Sequence, residues 1–349
     1  MPKRLLAAAL TAGLSLGLLY ASPAHATTRL KGAGSSFANK FITSCAAKSG
    51  SPATVSYNPA GSGTGRTAFG NGTVDFGASD AASSISGATG YKYVPVVGGP
   101  VAIIFKLSGI GEGDLKLDAA TWAKILKGSI TKWNDPAIKS LQTAAVAAKL
   151  PNKSIRVVYR ATSSGTSENM TDYLRQNVPS IWTRPKNGTI AAGNPAGRMP
   201  NGSIGAANSQ ALVTTVKNTN YSIGYADLSD AEGKNVAYAK LKNAAGEFVL
   251  PTSATAAAFL SEFSSNKYFN KTTGAVTLDF NKSISGAYNM SLLTYAIVKS
   301  TDGAAGSKQT VARDFVEWLL TDCGPTYATG MGYSPISGSL KTKAIALVH

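Results

Sequence analysis

Three segments place glycine or small hydroxyl residues where a loop enters a helix. They are Gly32–Phe37, before a helical pattern over Ala38–Lys48; Gly61–Gly65, after a strand at Val55–Tyr57; and Ser163–Ser167, between a strand at Ile155–Arg160 and a helix at Glu168–Arg175. The N-terminus of a helix has unpaired N–H groups and the positive end of the helix dipole, so it binds anions without a cationic side chain. Glycine permits close backbone approach, and Ser or Thr adds a hydroxyl donor for a tetrahedral oxyanion.

Each segment taken alone is also explained by ordinary helix capping. Three such segments in one chain favour an anion site instead, because Arg160 lies just before the third segment and Asp80 ends the stretch Val74–Asp80. Asp80 itself has the alternative role of a loop or helix cap.

Several other chemistries are excluded. No segment has the Gly-x-x-x-x-Gly-Lys-Ser/Thr spacing of a nucleotide phosphate loop, and Gly61–Gly65 does not have the dinucleotide-binding spacing. The only histidines are His25 and the terminal His349, so a Ser-His-Asp triad, a Cys-His pair or a His-ligated zinc site has nothing to be built from. We therefore predict no catalytic residue, no cofactor and no metal.

The N-terminus predicts export. Met1–Arg4 is basic, Leu5–Leu19 is almost wholly apolar, and Ala24–Ala26 is an Ala-x-Ala cleavage site, as in a secretory signal peptide over residues 1–26. No later run approaches the roughly 18 apolar residues that a membrane-spanning helix needs. The sequence predicts a soluble protein in the periplasm or the medium.

Size and charge set further limits. Removing residues 1–26 leaves 323 residues, which predicts two domains. The net charge of +16 attracts anions of every kind, including phosphate, nucleic acid and anionic envelope polymers. Lys and Arg are scattered along the chain, so we predict no nucleic-acid partner.

The two cysteines, Cys45 and Cys323, favour one disulfide, because an exported chain lies where thiols oxidise. Two unpaired buried thiols are the alternative.

Short apolar runs between helical patterns predict an α/β architecture with open sheets. The predicted strands are Thr54–Tyr57, Val94–Val97, Val101–Phe105, Ile155–Tyr159 and Ser222–Tyr225. Asp118 is a suitable N-cap for a helix that Gly128 can end, and a C-terminal helix containing Phe315 is expected to stop at Gly324-Pro325. Trp133 belongs either to the core or to the surface.

Seven segments of the chain are modest motifs individually but are jointly specific to one protein family. They are Gly32–Phe37, Thr73–Asp80, Pro95–Pro100, Leu117–Ile138, Arg160–Ser167, Ser222–Tyr225 and Gly332–Pro335. Taken in this order and at these intervals, they resemble the phosphate-binding receptor of the high-affinity phosphate ABC transporter over nearly the whole mature chain.

The resemblance implies a two-lobed periplasmic binding protein fold with crossing hinge strands and a ligand cleft between the lobes. One lobe would comprise residues 27–105 plus 288–349 and the other residues 106–287, so that binding favours hinge closure. The phosphate contacts carried over by position are Ser36, Phe37, Ser62, Asp80, Arg160, Ser164, Gly165 and Thr166. The family commonly reads Arg-x-Asp-Gly-Ser-Gly-Thr, whereas this chain has Thr162 in place of the acidic neighbour of Arg160.

The resulting hypothesis is a monomeric, non-enzymatic receptor that captures inorganic phosphate and delivers it to a membrane ABC permease. Arg160 supplies a charge-assisted contact, and Asp80 accepts the proton that phosphate retains. One alternative is a secreted phosphomonoesterase with a serine or aspartate nucleophile activated by lysine or water. Another is a basic surface protein that binds anions nonspecifically and releases them in salt.

Overall fold

A computed structural model describes residues 28–301 and 303–349. The predicted signal peptide lies outside the described residues. Within these two ranges, no helix has the length and apolar character needed to span a membrane.

The described chain alternates strands and helices, as the sequence predicts. The strands are β1 (Thr28–Gly34), β2 (Ala53–Asn58), β3 (Phe76–Ser79), β4 (Tyr91–Lys106), β5 (Lys116–Leu117), β6 (Arg156–Arg160), β7 (Ile204–Ala206), β8 (Ser222–Asp227), β9 (Ala237–Tyr238), β10 (Lys240–Lys242), β11 (Phe248–Val249), β12 (Ser291–Lys299) and β13 (Ser334–Pro335). The α-helices are α1 (Asn39–Ala46), α2 (Ser62–Gly70), α3 (Ala119–Lys127), α4 (Pro136–Lys139), α5 (Ala144–Lys149), α6 (Gly165–Asn177), α7 (Ile190–Gly193), α8 (Ser209–Asn218), α9 (Leu228–Ala231), α10 (Ser253–Leu260), α11 (Lys308–Trp318), α12 (Gly324–Tyr327) and α13 (Gly338–Ile345).

One long sheet organises these elements. Its strand order is β2-β1-β3-β12-β4-β8-β6-β7, with β9 and β13 also paired to β4. Strands β1, β2 and β3 run parallel in one half, and β6, β7 and β8 run parallel in the other. We call these the β3 half and the β6 half. Since the carboxyl ends of parallel strands lie at the same edge, each half presents its strand-end loops together.

The strand β4 belongs to both halves. Its residues Tyr91–Pro100 pair antiparallel with β12, and its residues Val101–Lys106 pair antiparallel with β8. The sequence analysis predicted two strands here, at Val94–Val97 and Val101–Phe105, and this division was wrong. Pro95 and Pro100 lie within the continuous strand, and the pairing shifts register beside Pro95, between Thr294 and Tyr295 of β12. Such irregularities are where a strand tolerates proline.

Local sequence signals predicted the bounds of one helix correctly. Asp118 caps α3 by accepting a hydrogen bond from the backbone N–H of Thr121, and Gly128 ends the helix in the left-handed conformation. Trp133 is fully buried, and its Nε1 donates to the Tyr221 carbonyl at 3.0 Å. It therefore belongs to the core.

The predicted stop at Gly324-Pro325 was wrong. After α11 the chain forms a π-helical turn over Leu319–Cys323 and then continues as α12. Proline lies in the first turn of α12, where its missing N–H is tolerated, so it starts a helical segment instead of ending one.

The lobe boundaries stay a prediction. The boundary at residues 105 and 106 falls at the end of β4. The helix α10, which the prediction places in the second lobe, packs against β4, β12 and β13, and the Leu260 side chain lies beside Gly98 of β4.

The disulfide prediction is confirmed. Cys45 at the end of α1 is bonded to Cys323 in the π-helical turn, with a Cα–Cα distance of 5.9 Å and a sequence separation of 278 residues. Both cysteines are fully buried. The bond joins α1 to the π-helical turn that follows α11.

Removing this bond should destabilise the protein. A crosslink that closes so long a loop restricts the unfolded chain, so reduction should lower the free energy of unfolding by about 2–5 kcal/mol. Urea unfolding with and without reductant measures the change, and a Cys45→Ser/Cys323→Ser variant should not respond to reductant. Alkylation of two thiols in the native, unreduced protein would contradict the bond.

Candidate anion-binding site

Both halves of the sheet direct the ends of their strands at one buried cleft. The strands β1 and β3 lead into Ser35–Ser36 and Asp80, while β6 and β8 end at Arg160 and Asp227. Four helices begin beside these ends: α1 and α2 in the β3 half, and α6 and α8 in the β6 half. The helix N-termini supply N–H groups and positive dipole ends to the cleft.

Arg160 lies at the centre of the cleft and is only 2% exposed. Its Nη1 donates to the hydroxyls of Ser36 at 3.1 Å and Ser209 at 3.4 Å, thereby joining the two halves. Its Nη2 donates to Thr162 Oγ1 and to the Ala207 carbonyl, each at 3.4 Å. Arg160 Nε has no hydrogen-bond partner among the described residues. The guanidinium group thus keeps donor capacity for a further acceptor.

Thr162 takes part in holding Arg160. Its hydroxyl accepts from the guanidinium group and donates to the Ala207 carbonyl at 2.8 Å. Within the described ranges no carboxylate forms an ion pair with Arg160. Neutral acceptors therefore orient the guanidinium group in place of the acidic neighbour that the resemblance led us to expect.

Asp80 is buried opposite Arg160 and accepts hydrogen bonds from three hydroxyls. Its Oδ1 accepts from Ser35 and, at 2.7 Å, from Thr294, and its Oδ2 accepts from Ser62 at 3.2 Å. Ser62 Oγ in turn accepts from the Asp80 backbone N–H at 3.1 Å. An ionised carboxylate offers about four lone-pair sites, so one remains at Oδ2 for another donor.

The N-terminus of α6 lies directly against this carboxylate. Ser164 caps the helix, because its Oγ accepts from the Ser167 N–H at 3.2 Å. A Cβ on Gly165 would come within 2.4 Å of Ser62 Oγ and 2.7 Å of Asp80 Cβ, so only glycine allows this approach between the two halves. The Thr166 hydroxyl is buried and has no hydrogen-bond partner within the described residues. It is a free donor inside the site.

The remaining predicted residues lie in the same cleft. Ser36 Oγ is 3.0 Å from Ser209 Oγ, and Phe37 is buried with its ring packed edge-on against Tyr333. Tyr333 also donates to the Phe37 carbonyl at 2.6 Å, which fixes the entry to α1. The structure therefore brings together the full predicted set: Ser36, Phe37, Ser62, Asp80, Arg160, Ser164, Gly165 and Thr166. Whether they contact a ligand stays a prediction.

Sequence analysis missed three polar residues of the cleft. Ser209 begins α8, capped by Asn208, and the Asn-Ser pair after the short strand β7 is the local signal that could have identified it. Asp227 and Asp230 follow the Ser222–Tyr225 segment, at the start of α9. The sequence did not identify them as site residues, because acidic residues are common at the start of any helix.

Burial controls the electrostatics of these carboxyl groups. Burial raises the pKa of Asp80, while hydrogen bonds from Ser35, Thr294 and Ser62 lower it. Asp227 is fully buried, and neither carboxylate oxygen has a hydrogen bond of good geometry in the described chain, although the Ser209 hydroxyl lies close enough to interact with it. Burial raises its pKa well above the usual range, the charges of Asp230 and Asp80 raise it further, and Ser209 and Arg160 oppose them.

Asp230 is less deeply buried. Burial raises its pKa to about 6, although Gln210 Nε2 donates to both carboxylate oxygens at 2.9 Å and lowers it. In residues 28–301 and 303–349, no cluster of three or more His, Cys, Asp or Glu side chains could hold a metal ion.

Two halves of a sheet that share one strand and enclose a buried polar cleft are typical of a two-lobed solute-binding protein. The profile of the PBP superfamily domain matches residues 21–322. The protein named phosphate-binding protein PstS of Xylella fastidiosa is 30% identical over 322 residues, covering 90% of this chain and 83% of its own. Its namesake from Haemophilus influenzae is 30% identical over 330 residues, covering 93% and 92%. The chain therefore belongs to the PBP superfamily and, within it, to the PstS phosphate-binding proteins.

Solved structures agree on the fold. A high-affinity periplasmic phosphate-binding protein, PfluDING, bound with phosphate, matches with a TM-score of 0.70 at 21% identity, over 91% of this chain and 93% of its own. The phosphate-binding protein of Stenotrophomonas maltophilia matches with a TM-score of 0.65 at 20% identity, with the same coverage. These comparisons confirm the predicted fold class and the resemblance. They give no support to the phosphomonoesterase alternative.

The raised pKa of Asp230 predicts a pH dependence of stability. Between its usual pKa of 3.8 and about 6, the folded protein binds more protons than the unfolded chain. The stability that Asp230 contributes is therefore complete below about pH 4 and is lost as the pH rises through about 6.

Asp230→Asn should remove this contribution, so its urea midpoint should fall less than the parent's between about pH 4 and pH 7. The exposed Asp322→Asn variant is the control and should follow the parent. Parallel pH profiles for parent and Asp230→Asn would overturn the assignment.

Proposed function

We propose that this protein binds inorganic phosphate reversibly outside the cytoplasm and delivers it to a membrane ABC-type phosphate permease. Phosphate lies between the β3 half and the β6 half, and the predicted eight residues contact it. The relatives are named as phosphate-binding proteins, which supports a binding role instead of catalysis. We further propose that the receptor acts as a monomer and does not bind nucleic acid.

The observation that carries this proposal is a set of buried donors with unused capacity around one cleft. Arg160 Nε and the Thr166 hydroxyl are buried without partners among the described residues, although buried polar groups are nearly always paired. Thr166 lies in the first turn of α6, whose N-terminal N–H groups add neutral donors, and Arg160 ends the strand β6 that precedes this helix. A tetrahedral oxyanion supplies the several acceptors that such a set requires.

Asp80 gives the site a way to select protonated oxyanions. Near neutral pH phosphate keeps at least one proton, whereas sulfate has none. The three hydroxyl donors favour the ionised form of the Asp80 carboxyl group, which can only accept hydrogen bonds. The carboxylate then accepts from the phosphate hydroxyl but faces sulfate with lone pairs and like charge.

Calorimetric titration tests the proposal directly. Purified protein stripped of bound ligand is titrated with phosphate, sulfate and arsenate, at low and high salt. Saturable phosphate binding that persists in salt supports a buried site, whereas binding that collapses indicates hydrated surface contacts. Steady turnover of a phosphate ester would favour the enzymatic alternative.

Arg160→Ala should greatly reduce the affinity for phosphate. Truncating one member of a buried charge pair typically costs about 2–5 kcal/mol, so the affinity should fall by well over tenfold. Arg156→Ala is the matched control, because Arg156 lies exposed at the start of the same strand. Calorimetry measures both variants, and thermal melting checks their folds. Parental affinity in a folded Arg160→Ala protein would disprove our placement of the site.

Asp80→Asn should narrow the preference for phosphate over sulfate. The amide keeps the size of the side chain, removes the charge and adds an N–H donor that sulfate can accept. A charge-assisted hydrogen bond is worth about 1.5–3 kcal/mol, so the ratio of affinities should shrink by at least about tenfold. Competition titrations of both proteins give the ratio. If it stays constant in a well-folded variant, Asp80 is not the proton acceptor.

A further inference from the structure

A group of polar side chains outside the predicted contact set connects the two halves at the edge of the cleft. Glu168, in the first turn of α6, is held by two groups of the β3 half. Arg66 Nη2 of α2 lies 3.4 Å from Glu168 Oε2, and the Ser83 hydroxyl donates to Glu168 Oε1 at 2.7 Å. Next to it, Asn169 Nδ2 donates to the Asp80 carbonyl at 2.6 Å and to the Gly165 carbonyl at 2.9 Å.

Arg66 is itself fixed to the β3 half. Its Nη1 donates to Ser79 Oγ at 2.9 Å and to the Ala81 carbonyl at 3.2 Å. The side chains of Arg66 and Glu168 are only 15% and 9% exposed. An ion pair with so little solvent around it is screened less than a surface pair, so breaking it has a larger effect.

The position of Glu168 explains why the pairing matters. A carboxylate in the first turn of a helix is attracted to the same N–H groups and dipole end that bind an anion. The N-terminus of α6 contributes Gly165 and Thr166 to the proposed site. An unpaired Glu168 would therefore repel an incoming phosphate. Arg66 neutralises this charge only when the two halves are together.

We propose that Arg66, Ser83, Glu168 and Asn169 form a latch that holds the closed cleft and positions the N-terminus of α6 on the ligand. The ligand class rests on the proposed function, namely phosphate. None of the four is a direct phosphate contact; they are positioning residues. Opening the cleft separates Glu168 from both of its partners, so the latch slows the release of phosphate.

The latch makes a distinctive kinetic prediction. Arg66→Ala leaves a nearly buried carboxylate unpaired beside the anion, so the rate of phosphate release should rise on the order of tenfold or more. Arg66→Ala/Glu168→Gln removes that carboxylate, so it should release phosphate more slowly than Arg66→Ala alone. A residue with only a structural role would give additive losses, without this rescue.

The experiment is stopped-flow release of phosphate from the full mature protein, together with small-angle scattering of the protein without ligand. The control is Arg175→Ala, which breaks the exposed Arg175–Asp172 pair within α6 and should leave both measurements unchanged. In scattering, the Arg66→Ala protein should have a larger radius of gyration than the parent. Thermal melting verifies that each variant is folded.

The two proposals fail in different ways. If the parent does not bind phosphate, the proposed function is wrong, and scattering still tests the latch by itself. If the parent binds phosphate but the variants match its release rate and its radius of gyration, the latch is wrong and the function stands. Additive losses without rescue in the double variant would likewise overturn the latch.

Discussion

The burial of one guanidinium group is the constraint on which the rest of the cleft depends. Arg160 has a cationic guanidinium group, and it is almost completely removed from water. It must therefore be surrounded by acceptors, and the structure supplies Ser36, Ser209, Thr162 and the Ala207 carbonyl. These acceptors come from both halves of the sheet, so satisfying Arg160 also holds the halves together.

The continuous strand β4 makes such a shared site possible. Because it pairs with β12 along one part and with β8 along the other, the two halves are connected covalently and by main-chain hydrogen bonds. The loops at the ends of the parallel strands can therefore face one another across the cleft. Small residues such as Gly165 then let backbone approach backbone across the cleft.

The basic surface and the buried cleft of this protein attract anions in different ways. The chain is strongly basic, with a net charge of +16, which raises the concentration of anions near its surface. The cleft itself contains Asp80, Asp227 and Asp230 near a single buried arginine. Desolvation raises the pKa of all three carboxyl groups, but at Asp80 the hydrogen bonds from Ser35, Thr294 and Ser62 oppose this and favour the ionised carboxylate. A positive exterior attracts anions of every kind, whereas the interior favours those that exchange hydrogen bonds with carboxyl groups.

The sequence by itself determined the parts that depend on local backbone chemistry. The capping of α3 by Asp118 and its end at Gly128 follow from side chains within a few residues of one another, and so do the three helix-entry segments. The number and setting of the cysteines favoured a disulfide, and the structure shows that it forms. Only the tertiary structure decided the continuity of β4 and the cleft positions of Ser209, Asp227 and Glu168. Each of these depends on partners far away in sequence, such as Arg66 for Glu168, 102 residues apart. Hydrogen bonds and desolvation act through space, so their partners are fixed only when the sheet brings its strand ends together.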